Sequence, residues 1–129
     1  MIRESLSIGS MTVKNRLVMP PMATYLCDDE GKVTDELLSY YAERAKGGNI
    51  GLIITEHSFF TKQGKAREKQ LSIADDSDLD GLKRLTDVIH QSETKAMVQL
   101  KHAGAADMIG VGRALLKGPH WADEKEVRT

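Results

Sequence analysis

Two apolar, strand-like segments lie only seven residues apart near the end of this 129-residue chain, and that spacing limits the folds open to it. The first, Ala96-Met97-Val98-Gln99-Leu100, runs into the polar group Lys101-His102-Ala103-Gly104. The second, in the stretch Ala106 to Leu116 with its apolar run starting at Met108, carries a Gly112-Arg113 pair. Neighbouring parallel strands need a crossover of about a dozen residues or more. Residues 101–107 reach about 25 Å at ~3.3–3.6 Å per residue, enough for a hairpin or a swing into another molecule but not for a helical crossover.

Upstream of this join the chain alternates regularly. Leu6-Ser7-Ile8 and Met11-Thr12-Val13, separated by Gly9-Ser10, predict a short β-hairpin. Leu17-Val18-Met19 predicts a first core strand, stopped by Pro20-Pro21, which cannot donate to a ladder. Thr34 or Asp35 caps a predicted helix to Lys46, with Leu37, Leu38, Tyr41 and Ala45 on one stripe and Gly47-Gly48 as the stop. Gly51-Leu52-Ile53-Ile54-Thr55 is a near-continuous apolar run, the pattern of a parallel strand covered on both faces. A polar loop, Thr61 to Lys69, leads to a second helix with Leu79, Leu82, Leu85 and Ile89 as its stripe. Asp75, Asp76 and Asp78 suit that helix's positive N-terminal end. Ala96–Leu100 then completes a β-α-β-α-β order, which predicts a parallel sheet with right-handed crossovers.

Length bounds this architecture, because a complete eight-stranded α/β barrel needs about 250 residues. With 18 basic and 19 acidic residues the net charge is −1, so no footprint for nucleic acid or a membrane surface is seen. A single cysteine, Cys27, excludes an intrachain disulfide and suits a reducing compartment. No apolar run is long enough to span a bilayer and no secretory leader is seen, so a soluble cytoplasmic protein is the expectation.

The strand ends carry a family resemblance. Asn15-Arg16-Leu17-Val18-Met19-Pro20-Pro21-Met22-Ala23, Gly51 to Glu56 and Gln99-Leu100-Lys101-His102-Ala103-Gly104 resemble the Old Yellow Enzyme family, the FMN-dependent NADH:flavin oxidoreductases. The bacterial 2,4-dienoyl-CoA reductases contain a related barrel. The hairpin resembles that family's cap over the barrel floor, and Ala106 to Ala122 resembles its last barrel strand and the segment after it. The resemblance implies an α/β fold: a partial (β/α)8 TIM barrel of about four strands, family strands one to three plus the last. Residues 1–104 would form the N-terminal part of the FMN-binding barrel, and 105–129 the last-strand segment and following helix. Two such chains would bring eight strands together, which leaves a homo-oligomer open.

The same resemblance implies site residues. Pro21, Met22 and Ala23 would lie along the flavin ring through backbone groups, and Gln99 would bond its pyrimidine edge, where an amide both donates and accepts. Gly112 and Arg113 would hold the FMN phosphate, the glycine allowing close approach and the guanidinium binding through paired hydrogen bonds. NADH or NADPH would be the reductant and a small molecule, an activated alkene, the substrate. No residue is assigned a catalytic role and none a metal. The family's His-His or His-Asn pair, its proton-donating tyrosine and a further flavin-contacting arginine find no match. Activity of the abridged chain is therefore expected to be impaired or absent, and a non-catalytic flavin- or phosphate-binding half-barrel or a degenerate remnant is the alternative.

Other polar residues have plainer readings. Glu56 would orient neighbouring loops by hydrogen bonding, and His57 stands where the family often has a small residue. Tyr25 faces the site mouth or packs. His90 sits on a solvated helix face, and His102 and His120 lack metal-site spacing. Cys27 is a loop thiol with nothing nearby to lower its pKa.

Overall fold

The computed structural model describes residues 1–103; the join after Ala103, the predicted last strand with Gly112 and Arg113, and His120 lie outside the described residues. The chain begins with the expected hairpin. Strands β1 (Leu6–Ile8) and β2 (Met11–Val13) pair antiparallel with Leu6 opposite Val13 and Ile8 opposite Met11. Gly9 takes a φ of +61°, a conformation glycine adopts without a Cβ penalty.

The first core strand, β3, is only Val18–Met19. Leu17 nevertheless belongs to the ladder, because its carbonyl accepts from the N–H groups of Gly51 and Leu52 at 3.0 and 3.2 Å. Buried Asn15 ties this entry down: its Nδ2 donates to the Asn49 carbonyl at 2.7 Å and its Oδ1 accepts from Leu17 N–H at 3.0 Å.

Helix α1 (Asp35–Gly47) starts where Thr34 Oγ1 accepts from Leu37 N–H at 3.2 Å; the same hydroxyl donates to the Leu26 carbonyl. Satisfying an otherwise orphaned first-turn donor in this way typically stabilises a helix by about 1 kcal/mol. Leu37, Tyr41 and Ala45, each four residues from the next, are the buried face.

Strand β4 (Leu52–Phe59) runs four residues beyond the expected Gly51–Thr55 segment. Glu56 and Ser58 in its second half are buried and hydrogen-bonded, so polarity there does not end the strand. It is the central strand: β3 pairs parallel with Leu52 and Ile53, and β6 (Lys95–Leu100) pairs parallel with residues from Leu52 to Ser58, with an irregularity between Ile54 and His57. A two-residue strand, β5 (Leu71–Ser72), which the sequence pattern does not announce, pairs parallel with Ser58 and Phe59.

Helix α2 (Leu79–His90) follows a 3-10 turn at Asp76–Asp78. Leu85 and Ile89 are buried and Leu82 packs against the core, but Leu79 is 68% exposed, against expectation. Asp78 turns inward ahead of it, and a step of about 100° per residue carries the next side chain off that face. The core lies between sheet and helices and contains Met19, Cys27, Leu37, Tyr41, Ala45, Ile53, Leu71, Leu85 and Ile89. On the far side of β4 the sheet is open: Met97 and Leu100 of β6 are 46% and 59% exposed. Strands β3 to β6 are thus an open parallel segment, not a closed barrel. Among the described residues no helix is long and apolar enough to cross a membrane.

Candidate functional site

The C-terminal ends of β3, β4 and β6 point the same way because the strands are parallel, and the loops leaving those ends hold most of the polar side chains singled out from sequence. Pro21, Met22 and Ala23 leave β3 here, with Pro21 half-buried and Met22 and Ala23 exposed. Gln99 pairs in register with His57 near the end of β6. Its backbone carbonyl accepts from Ser58 Oγ at 2.8 Å, whereas its exposed side-chain amide bonds to nothing among the described residues. Pro21 to Ala23 and Gln99 therefore share one end of the sheet, with exposed Met22 and Ala23 on one side and an uncommitted amide on the other.

Beneath them is a buried cluster built on Glu56. Its Oε1 accepts from Thr24 Oγ1 at 2.8 Å and from Tyr41 Oη at 3.2 Å, while Tyr41 Oη accepts from Glu56 N–H at 2.9 Å. Thr24 Oγ1 also accepts from Leu26 N–H at 3.2 Å. Burial pushes the Glu56 carboxyl above its ordinary value, and the hydrogen bonds from Thr24 and Tyr41, with the nearby Arg67 charge, offset part of that rise. Burial and the Glu56 charge likewise raise Tyr41. Glu56 thus orients the segment after β3, as its sequence context suggests.

A second cluster stands nearby, built on Arg67. Arg67, in the loop after β4, donates from Nη1 to Tyr25 Oη at 2.6 Å, and its Nη2 lies 2.6 Å from His57 Nε2. The guanidinium carbon is 4.5 Å from the Tyr25 ring centroid, a cation–π distance. A guanidinium has no acceptor, so His57 Nε2 must accept and the ring is neutral with its proton on Nδ1. Burial, Arg67 and Lys101 all depress the His57 pKa, which agrees with that assignment. Tyr25 is 54% exposed and has a φ of +60°, uncommon for a bulky side chain. Of the two readings, the packing one is seen, since the ring lies against the Arg67 guanidinium. Arg67 had no sequence signal, since it lies in a polar loop without periodicity. That loop is pinned by buried Gln70, whose Oε1 accepts from Ala66 N–H at 2.6 Å.

The remaining candidates are structural. His102 packs against Gly64, where an added Cβ would lie 2.6 Å from its ring, and its Nδ1 is buried without a partner among the described residues. His90 is exposed. Cys27 is buried, and burial with Glu56 and Asp28 nearby pushes its thiol up to about 12. No group of three metal-binding side chains occurs among the described residues.

Residues 2–106 match the NADH:flavin oxidoreductase / NADH oxidase family. The chain belongs to that family. The family match spans all three strand-end segments on which the sequence resemblance rests. An NADH oxidase from Thermoanaerobacter brockii is 39% identical over 109 residues, covering 84% of this chain and 17% of that protein. A 2-naphthoyl-CoA reductase in complex with 2-naphthoyl-CoA superposes with a TM-score of 0.76 at 32% identity, covering 80% of this chain and 16% of the other. Old Yellow Enzyme from Pichia sp. AKU4542 gives 0.74 at 30% identity, covering 80% of this chain and 26% of that one. This NADH:flavin oxidoreductase family member therefore spans well under a third of each of these relatives, and its parallel segment is part of their barrel fold.

Proposed function

We propose that this chain provides the N-terminal part of an FMN-dependent NAD(P)H oxidoreductase of the Old Yellow Enzyme type, directed at activated alkenes. The observation that carries the reading is the gathering of Pro21–Ala23 and the uncommitted Gln99 amide at one end of a parallel sheet, the end where barrels of this kind place their ligands. These residues fit a flavin: backbone groups after β3 would lie along its ring, and the Gln99 amide would meet its pyrimidine edge. Gly112 and Arg113 would hold its phosphate. FMN would supply the hydride relay between a reduced nicotinamide and the alkene. The protein's part is to bind and orient, through the Glu56–Thr24–Tyr41 cluster that fixes the segment after β3.

The open face of β6, with Met97 and Leu100 uncovered, favours a second reading in which the chain binds flavin without turnover. Sequence supports it too, since the family's fourth-strand histidine pair has no match here. Losing such electrostatic groups commonly costs a factor of about 100 or more in rate.

FMN titration of the purified protein, followed by flavin fluorescence, tests the binding step; saturable quenching is expected, and its absence sinks both readings. Consumption of NADH or NADPH with cyclohexenone then separates them, because turnover is expected only for the first. Arg113→Ala should weaken FMN at least tenfold, and unchanged affinity would remove the phosphate assignment.

A further inference from the structure

We propose that Arg67, seated between Tyr25 and His57, forms with Lys101 a subsite for a carboxylate carried by the substrate. The inference deepens the reading of the chain as part of an alkene reductase and rests on it for the word substrate. It rests on the geometry alone for the word carboxylate.

The cluster offers donors and almost no acceptors. A guanidinium has five N–H donors. One reaches Tyr25 Oη and another His57 Nε2, and among the described residues Arg67 forms no ion pair with a carboxylate. Because Tyr25 Oη accepts from Arg67, its own hydroxyl proton is left to donate elsewhere. Lys101, exposed just past β6, donates its N–H to the Ser58 carbonyl at 2.9 Å, which sets a second cation on the residue beside His57. Glu56, the carboxylate of the neighbouring buried cluster, is 2% exposed and its Oε1 already accepts from Thr24 and Tyr41. A half-buried guanidinium, a phenol and an ammonium thus lie at one end of the sheet, and among the described residues no carboxylate pairs with the guanidinium.

The arrangement is also held in place. Thr24 is anchored to Glu56, Tyr25 is kept in a left-handed conformation, and Ala66 beside Arg67 is bonded to the side chain of buried Gln70. Backbone conformations of this kind persist only where the surroundings enforce them. Two neutral partners orient the guanidinium without neutralising it. A planar fork of N–H donors with an O–H beside it matches a planar carboxylate through paired charge-assisted bonds.

The test reads the protein rather than the flavin. Histidine-ring NMR signals, with His57 assigned through His57→Gln, are followed while cinnamate, cinnamamide or inorganic phosphate is added, with and without FMN. Cinnamate is expected to shift the His57 signal saturably, to leave His90 still, and to raise the pKa of His57, since a bound anion favours the imidazolium. Arg67→Met should raise the cinnamate Kd at least tenfold and Lys101→Met about two- to threefold, with the remaining histidine signals reporting an intact fold. Equal binding of cinnamate and cinnamamide, tighter binding of phosphate, or an Arg67→Met Kd unchanged from the parent would overturn the proposal. Failure of FMN to bind would remove the alkene-reductase reading but leave this titration readable.

Discussion

Tyr41 and Glu56 hold each other through two hydrogen bonds: the phenol accepts from the Glu56 N–H at 2.9 Å and donates to the Glu56 carboxylate at 3.2 Å. The pair joins the buried face of α1 to the centre of β4, so the helix register and the orientation of the site loop are set by the same contact. Tyr41→Phe would leave a buried N–H without its acceptor and a buried carboxylate without one donor. A loss of about 1–3 kcal/mol is expected in denaturant unfolding. A change below a few tenths would mean that Tyr41 acts by packing alone.

Asp78 gives a stability change with a defined sign in pH. Burial alone would raise its carboxyl, but hydrogen bonds from Lys32, Ser72 and the Asp75 N–H outweigh burial and hold it below the ordinary value. A depressed folded-state pKa contributes stability that is present above the unfolded value, about 3.9, and is lost as pH falls through the folded value. Asp78→Asn should therefore destabilise most at pH 6–7, and the gap from the parent should close below about pH 4. A gap that stays constant down to pH 2.5 would contradict the assignment.

Cys27 should be chemically silent. With its thiol pushed up to about 12, the thiolate fraction at pH 8 is on the order of one in ten thousand. A disulfide reagent such as DTNB should label the native protein far more slowly than the urea-unfolded chain. Comparable rates would show that the loop opens readily.

Gly31 has a φ of +87°, and a Cβ built there would lie 2.4 Å from the Gln70 carbonyl oxygen. Its own carbonyl accepts from Ser72 N–H at 2.9 Å, which links this loop to β5. Gly31→Ala should cost about 1–3 kcal/mol through backbone strain, seen as a lower Tm. It should also weaken β5 in hydrogen exchange, and unchanged Ser72 protection would contradict that coupling.

What could be read from sequence follows from how local each signal is. Helix α1 is announced by Thr34, by the Leu37–Tyr41–Ala45 spacing and by Gly47-Gly48, all within one stretch. The hairpin is announced equally well by Gly9-Ser10. The second half of β4 is not, because Glu56, His57 and Ser58 look like a loop; Glu56 and Ser58 are buried and bonded to Tyr41 and to the Gln99 carbonyl, far away in sequence. Arg67 meets Tyr25 across 42 positions and no period connects two loop residues. The positions of Pro21 to Ala23 and of Gln99 at strand ends are legible because they close recognisable strands.

Every pairing of the parallel sheet among the described residues has β4 as one party, and this sets the order in which the chain can fold. The first three strand-forming segments to be synthesised yield just one local pair, the β1–β2 hairpin, until Leu52–Phe59 exists. Each later partner must then close a loop that contains a helix or a long turn, the kind of non-local pairing that slows folding. A growing polypeptide therefore keeps β3 waiting for more than thirty residues, and its first chance to commit to this topology arrives only when β4 emerges.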